Sequence, residues 1–448
     1  MADATLSRRG VLAGGVAITT LQAPAVFGQA MPTLRCAFWD HWVPTGNGAL
    51  RQLCGQWGER NRVNVQLDFI NTTGNQLQLT AAAQAQSRSG HDIISLAPWD
   101  VGTYADQLEP VDDVMGRLIA KYGPANQVAE FLAKHRGGWR AVPATSGTQN
   151  KPALCRFDLL QEHAGLDVRA MWPAENRKGP GADSWTWDTF LRAAEACHRA
   201  NVPFGLPMGQ FTDAVDWVGA LFASYGARVT DERGNPTIRG NQELRQVMEY
   251  AVRLARVLPN DVWAWDDASN NRALISGRSA LVFNPPSAWA VAKRDAPQVA
   301  EKCWTIPMPS GPRGRFLAYL PWNSAIWGFG RQKNAAKQLL EFLGERESAE
   351  TTTNTSNGYD IPPFATMSDF KVWETEGPPA GTIFNYPLKP HHEARPSIAF
   401  APAPPELASQ MYIQALNTKV IARVAQGGET IEAALGWLER EINTMRRG

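Results

Sequence analysis

The sequence predicts an α/β protein of two lobes, each a mostly parallel sheet flanked by helices. Two observations carry that prediction. Between Leu34 and Ala97 the chain alternates strand, helix, strand, helix, strand, the pattern of parallel strands joined by crossover helices. Its 448 residues also exceed what one ordinary core holds, since domains run to roughly 100–200 residues. Hydrophobic residues make up 44% and charged residues 19%, a globular composition with enough apolar material for packed cores.

The elements follow in order. Leu34 to Trp39 reads as a strand and Ala49 to Asn61 as a helix after the turn Thr45-Gly46-Asn47-Gly48. Val63 to Ile70 alternates as a second strand, Gln76 to Ser87 is a second helix, and His91 to Ala97 is a third strand. Gly137 to Pro143 turns into a short strand continued by Ala144–Asn150 and Ala153–Asp158, a segment without the long apolar run of a core strand. It reads as a crossing between lobes. A helix begins near Asp158, and another follows Thr186 as N-cap. Further helices run from Asp216 to Tyr225 and from Glu243 to Leu258. Leu281–Phe283, Cys303–Ile306 and Ser324–Gly328 are strand candidates, and a helix covers Ala335 to Leu343. Two helices, Glu406 to Val424 and Ile431 to Met445, close the chain. Thr351–Asn357 and Ala399–Pro405 read as connectors.

The first 30 residues carry Ser7-Arg8-Arg9, then Val11-Leu12, an apolar run to Phe27 and the small-x-small ending Gly28-Gln29-Ala30. They resemble a twin-arginine export signal cleaved after Ala30. Gly14, Gly15, Gln22 and Pro24 interrupt the run, whereas a membrane span needs about 20 mainly apolar residues. A soluble periplasmic product, exported by the twin-arginine translocase, is expected. The net charge of +1 argues against nucleic acid or an anionic membrane as main partner. Five cysteines, Cys36, Cys54, Cys155, Cys197 and Cys303, are scattered and odd in number. Buried free thiols are expected in preference to one disulfide.

In parallel sheets ligands sit beyond the carboxyl ends of the strands. Two strand exits carry the same chemistry here: Trp39-Asp40-His41-Trp42 after the first, and Pro98-Trp99-Asp100 after the third. Leu320-Pro321-Trp322-Asn323 repeats it. Flat aromatic faces beside planar polar side chains suit a neutral sugar, which shows C–H faces and a rim of hydroxyls. Asp40 and Asp100 among aromatic faces equally suit a polyamine or quaternary amine, through charge and cation–π attraction. Trp187 and Trp217 read as helix-packing residues, and Trp263 and Trp265 stay open between core and surface.

Five pieces, in order, are similar to family 1 extracellular solute-binding proteins of ABC importers, the group that includes the maltose-binding protein. They are HDIISLAPWDVGTYADQLEPVDD, GGWRAVPATSGTQNKPALCRFDLLQEHAGLD, SWTWDTFLRAAEAC, SGRSALVFNPPSAWA with PMPSGPRG, and SAIWGFGRQKNAAKQLLEFL. The resemblance covers nearly the whole chain after the signal and implies two α/β lobes joined by hinge crossings, with the ligand in the cleft. It places lobe one at 31–145 and 320–362, and lobe two at 146–319 and 363–448. Carried over by position, Trp99 and Asp100 fall at a polar cleft pair, Gln149 at a cleft carboxylate and Asp213 at a second acidic position. Asn284, Pro286 and Trp289 match the family, while Ser287 replaces its main sugar-stacking tryptophan. That departure argues against maltose itself.

The sequence holds no GxxxxGK[ST], HExxH or GxSxG, and Thr45-Gly46-Asn47-Gly48 is too short for a dinucleotide loop. A periplasmic glycan-active enzyme, with paired carboxylates in an aromatic cleft, is the enzymatic alternative. His391-His392-Glu393 could ligate a metal, but adjacent side chains in a proline-flanked loop spread apart, and a solvated loop is the plainer reading. The expected function is capture of a carbohydrate or polyol and delivery to the permease subunits of an ABC importer, by a monomer without cofactor.

Overall fold

β1 (Thr33–Trp39), β2 (Asn64–Ile70) and β3 (Ile93–Leu96) are parallel, with β1 between the other two. The helices Pro44–Asn61 and Gln76–Ser87 make the crossovers. The computed structural model describes residues 31–174, 178–383, 385, 393–395 and 403–447. The first helix begins five residues before the expected start. Pro44 at its head has the backbone angle a first turn needs, so the Gly46 and Gly48 read as a turn are helical instead.

The sheet is completed by β10 (Phe316–Ile326), antiparallel to β3, by β6 (Val142–Asn150), antiparallel to β10, and by β11 (Glu393–Arg395). A two-strand hairpin, β4 (Lys134–His135) and β5 (Gly138–Trp139), lies beside it. β10 is far longer than the strand expected from Ser324. Pro321, a residue that normally breaks a ladder, sits where the β6–β10 register shifts, so it costs no regular pair. In the second lobe β7 (Ala153–Arg156) lies between β8 (Leu281–Val282) and β9 (Cys303–Ile306). Both pairings there are antiparallel, unlike the mostly parallel sheet expected of each lobe.

The strand period of two sorts the lobe-one side chains. Leu34, Cys36 and Phe38 join one core with Ile93 and Ile326, while Ala37 and Trp39 join another with Ile94, Leu96 and Trp327. Phe364, Met367, Phe370 and Trp373 also pack into the first of these cores. The second lobe is filled by aromatic rings, including Trp185, Trp187, Phe190, Trp217 and Phe283. Trp187 and Trp217 are fully buried, as their helix positions predict; Trp263 and Trp265 are partly buried against the same core.

Two helical readings change. Thr351–Asn357 is no connector: the helix Arg346–Thr355 runs through most of it, burying Ser348, Ala349, Thr352 and Thr353, while the Thr351, Thr352 and Thr355 hydroxyls are satisfied by donating back to the carbonyls of Glu347, Ser348 and Thr351. The expected Glu406–Val424 helix is broken into Pro405–Ile413 and Leu416–Ala425 by Ala415, which lies in the left-handed region (φ 52°). Thr186 does cap Trp187–Arg199, its hydroxyl accepting from the Thr189 amide at 3.3 Å. All five cysteines are buried free thiols. The signal segment, His391 and His392 lie outside the described residues, and Glu393 opens β11. Among the described residues no helix is long and apolar enough to cross a membrane.

Candidate functional site

β6 and β10 tie the lobes together. β10 starts among lobe-two core residues, Leu317 and Tyr319, and ends in the lobe-one cores at Ala325 and Ile326. Tyr319 opposes Asn150 and Leu320 opposes Gln149; beyond the shift, Trp322 opposes Ala144. Gly147, in the extra length of β6, has φ +87°, and a β-carbon there would lie 2.7 Å from Cδ1 of Trp322. Only glycine lets the backbone lie against that ring.

On the lobe-one side the Trp39 and Trp322 indoles stack with centroids 5.1 Å apart. His41 packs on Trp39 at 4.8 Å and on Tyr359 at 4.6 Å. Its Nε2 faces Asp360 Oδ1 at 3.0 Å, and its Nδ1 accepts from the Val43 amide at 2.8 Å. With both nitrogens satisfied, His41 is a neutral Nε2–H donor, and Asp360 also accepts from the Gly147 amide at 2.7 Å. Asp40 accepts from Asn47 at 2.6 Å, and Trp42 is half-buried beside Trp39. Asn323 is fully buried opposite Leu96, at the end of β3.

Trp99 and Asp100 stand just past β3, at the start of the helix Asp100–Tyr104. The Trp99 ring is buried, stacked on Tyr412 at 5.3 Å and edge-on to Phe131 at 6.2 Å. The Ser409 hydroxyl donates to the Trp99 carbonyl at 2.8 Å. Trp99 therefore fastens lobe one to the helix Pro405–Ile413. Burial pushes the Asp100 carboxyl up to about 7.

The lobe-two side is a closed polar network. Lys151 Nζ lies 2.6 Å from Asp213 Oδ1 and 2.6 Å from Asp216 Oδ2. Burial alone would lower the Lys151 pKa; the two carboxylates overcome it and hold the ammonium above its usual range. Asp213 Oδ2 accepts from Asn270 at 2.6 Å and Asn284 at 3.1 Å. Asp267 Oδ1 accepts from the Asp213 amide at 3.2 Å; burial, then the Asp213 charge, lifts this carboxyl to about 7. Ser287 is fully buried and donates to Asn271 Oδ1 at 3.2 Å. Trp289 is buried among Leu154, Leu274 and Val282, on the far side of the lobe-two strands.

Of the enclosed polar atoms without a hydrogen-bond partner among the described residues, five are Trp39 Nε1, Gln149 Oε1, Tyr319 OH, Asn323 Oδ1 and Asn284 Oδ1. Four belong to β1, β6 and β10, and Asn284 bonds into the Asp213 network. Such atoms each cost about 1–3 kcal/mol unless something meets them. The fold thus gathers Trp39, Gln149, Trp322 and Asn323 around the β6–β10 crossing and joins Asp213 to Asn284 in the lobe-two network, and it sets Trp99, Ser287 and Trp289 into packing. Lys151, Asp267, Tyr319 and Asp360 were missed by sequence reasoning. Lys151 left a signal, as the one charge in an otherwise uncharged crossing, Ala144 to Cys155; Asp360 left none, since its role depends on contacts over 300 residues away. No group of three or more metal-ligating side chains is found among the described residues.

Comparison with solved structures places this architecture. A maltose-bound MalE3 from T. maritima superposes with a TM-score of 0.71 at 17% identity, covering 92% of this chain and 99% of that one. A solute-binding protein of an ABC transporter from Thermotoga lettingae, bound with alpha-D-tagatose, gives 0.71 at 15% identity over 92% and 99%. A sugar transporter structure from Arthrobacter chlorophenolicus with bound laminaribiose gives 0.70 at 13% identity over 92% and 99%. No curated protein sequence is significantly similar to the chain. The family model described as bacterial extracellular solute-binding protein matches residues 52–378, a stretch holding both lobe sheets apart from β1 and β11 and the whole β6–β10 crossing. Fold, lobe connection and family model agree, and the chain belongs to the bacterial extracellular solute-binding proteins.

Proposed function

We propose that this protein captures a carbohydrate or polyol between its lobes and delivers it to the permease of an ABC importer, without chemical change to the solute. The observation that carries this reading is the pairing of stacked Trp39 and Trp322 with the unpartnered atoms of Gln149, Asn284, Asn323 and Tyr319. Aromatic surface with uncharged planar donors and acceptors matches a sugar's C–H faces and hydroxyls. The sugars held by the superposed structures support the same class. A cationic solute fits less well, because a protein ammonium, Lys151, already occupies the position between the carboxylates of Asp213 and Asp216.

In this reading Trp39, Gln149, Asn284, Trp322 and Asn323 meet the solute, with Asp40, Trp42, Asp100 and Asp213 around them. His41 and Ser287 position neighbours, and Trp99 and Trp289 pack. Lobe one comprises 31–145 and 320–362 and extends through Trp373, whose ring lies in the lobe-one core; lobe two holds the rest, and bending is centred on Gly147 and Pro321. The first 30 residues direct export by the twin-arginine pathway, with cleavage after Ala30, and the product works as a periplasmic monomer.

A melting screen of the mature chain over sugars, polyols, polyamines and betaines tests this. A solute at one hundred times its Kd adds about 2.7 kcal/mol of stability. A sugar or polyol should raise the midpoint, and Gln149→Ala with Asn284→Ala should abolish the rise. A rise with polyamines alone, or recovery of a chemically altered solute, would overturn the reading.

A further inference from the structure

The lobe-one sheet has a second concavity, at its other pole. The start of β1, the turn before β3 and the segment after β10 enclose a cavity of about 410 Å³, lined by Arg35, Arg88, His91, Asp92, Arg331 and Gln332 among others. β1 runs from here to Trp39, so about 20 Å of strand separates this pocket from the stacked indoles.

Its charge is unbalanced. Arg35, Arg88 and Arg331 are exposed, and among the described residues their guanidinium groups have no ion-pair or hydrogen-bond partner. Some arginines of this lobe do find a carboxylate, as Arg117 does with Glu341 at 2.8 Å. The lining's one carboxylate, Asp92, is committed to backbone: Oδ2 accepts from the Arg35 amide at 3.0 Å, and Oδ1 from the Arg331 and Gln332 amides at 2.8 and 3.2 Å. It braces the pocket from behind, at the head of the helix Lys333–Gly344. His91 is likewise spent, with Nδ1 on Gln84 and Nε2 on Asp68, each at 2.8 Å.

The walls are fixed before any ligand arrives. Gly90 has φ +142°, and a β-carbon there would fall 2.5 Å from Cδ of the buried Gln84. Gln84 Oε1 in turn accepts from the His91 amide at 3.2 Å and from Trp327 Nε1 at 3.1 Å. A rigid concavity rimmed by free guanidinium forks is suited to planar, bidentate recognition of an oxyanion.

We propose that this pocket binds a phosphate group through Arg35, Arg88 and Arg331, as a second site separate from the interlobe cleft. Its size admits one phosphate or a small head group. The chemistry is shared by free phosphate and by the head group of an anionic phospholipid.

Inorganic phosphate is titrated into the mature full chain by calorimetry at about 0.1 M sodium chloride, which screens diffuse charge. Saturable one-to-one binding is expected, and Arg88→Gln with Arg331→Gln should weaken it about tenfold or more, since charge-assisted bonds are lost. Both side chains are exposed, so the melting midpoint should not move. A second arm sediments the protein with phosphatidylglycerol vesicles against phosphatidylcholine vesicles. Retention on the former, relieved by phosphate and lost in the double variant, identifies the lipid head group as the source; phosphate binding without retention identifies a soluble one. Absence of both signals, or equal phosphate binding by the double variant, would overturn the proposal.

Discussion

The Lys151 ammonium lies 2.6 Å from Oδ1 of Asp213, and both side chains are shut off from water. Lys151 follows β6 directly, so the crossing between lobes ends by planting a cation in the lobe-two network. Its removal strands Asp213 and Asp216 as buried like charges. Lys151→Met should cost about 3–5 kcal/mol in urea unfolding. Adding Asp213→Asn should restore part of that. A loss below about 1 kcal/mol for the single variant would mean that the carboxylates find water or protons unaided.

The raised carboxyls give a pH prediction. Asp100 and Asp267 titrate near 7 in the fold, against 3.8 for an ordinary aspartate. The folded state therefore binds more protons between those values, and their stabilising contribution, complete below about pH 4, is lost as pH rises through about 7. Carboxylates held low by cations, such as Asp158 beside Arg156, work in the opposite sense but only in acid. The melting midpoint of the ligand-free protein should fall between about pH 5 and pH 8, and Asp100→Asn with Asp267→Asn should flatten the decline. A decline equally steep in the double variant would assign it to other groups.

The parallel core of lobe one was legible because its signals are local. The alternation of Leu34, Cys36 and Phe38 with Ala37 and Trp39 is written in seven consecutive residues. β10 was not, because Pro321 breaks the strand pattern in sequence while the irregular pairing with β6 absorbs it in space. The site was half legible for the same reason. Aromatic and polar residues at strand exits could be named, but whether a tryptophan faces a cleft depends on distant partners: Trp322 comes to Trp39, and Tyr412 comes to Trp99.

That difference bears on Trp99. From sequence its loss should weaken binding and leave melting nearly unchanged; from its burial against Phe131 and Tyr412 the opposite follows. Trp99→Ala should lower stability by about 3–5 kcal/mol, the range for deleting a packed aromatic ring. Trp99→Phe should recover much of it, because a ring still fills the gap to Tyr412. Unchanged melting of Trp99→Ala with lost solute binding would return Trp99 to the ligand.

Gly147 offers the sharpest test of how the crossing is built. Its φ of +87° strains any side chain, and its α-carbon is backed by Trp322 and Trp39, with atoms 2.7 and 3.0 Å from where a β-carbon would sit. Gly147→Ala must push the stacked indoles apart or twist β6, and backbone strain of this kind costs about 1–3 kcal/mol. The same residue's amide donates to Asp360, which holds His41, so displacement should spread into the aromatic cluster. A lower melting midpoint together with a shifted tryptophan emission maximum is expected. In the solute screen the variant should also lose affinity more than it loses stability, since Trp39 and Trp322 would no longer stack in register. Wild-type melting and emission would show that the crossing tolerates a side chain at this point and that the indoles are held from elsewhere.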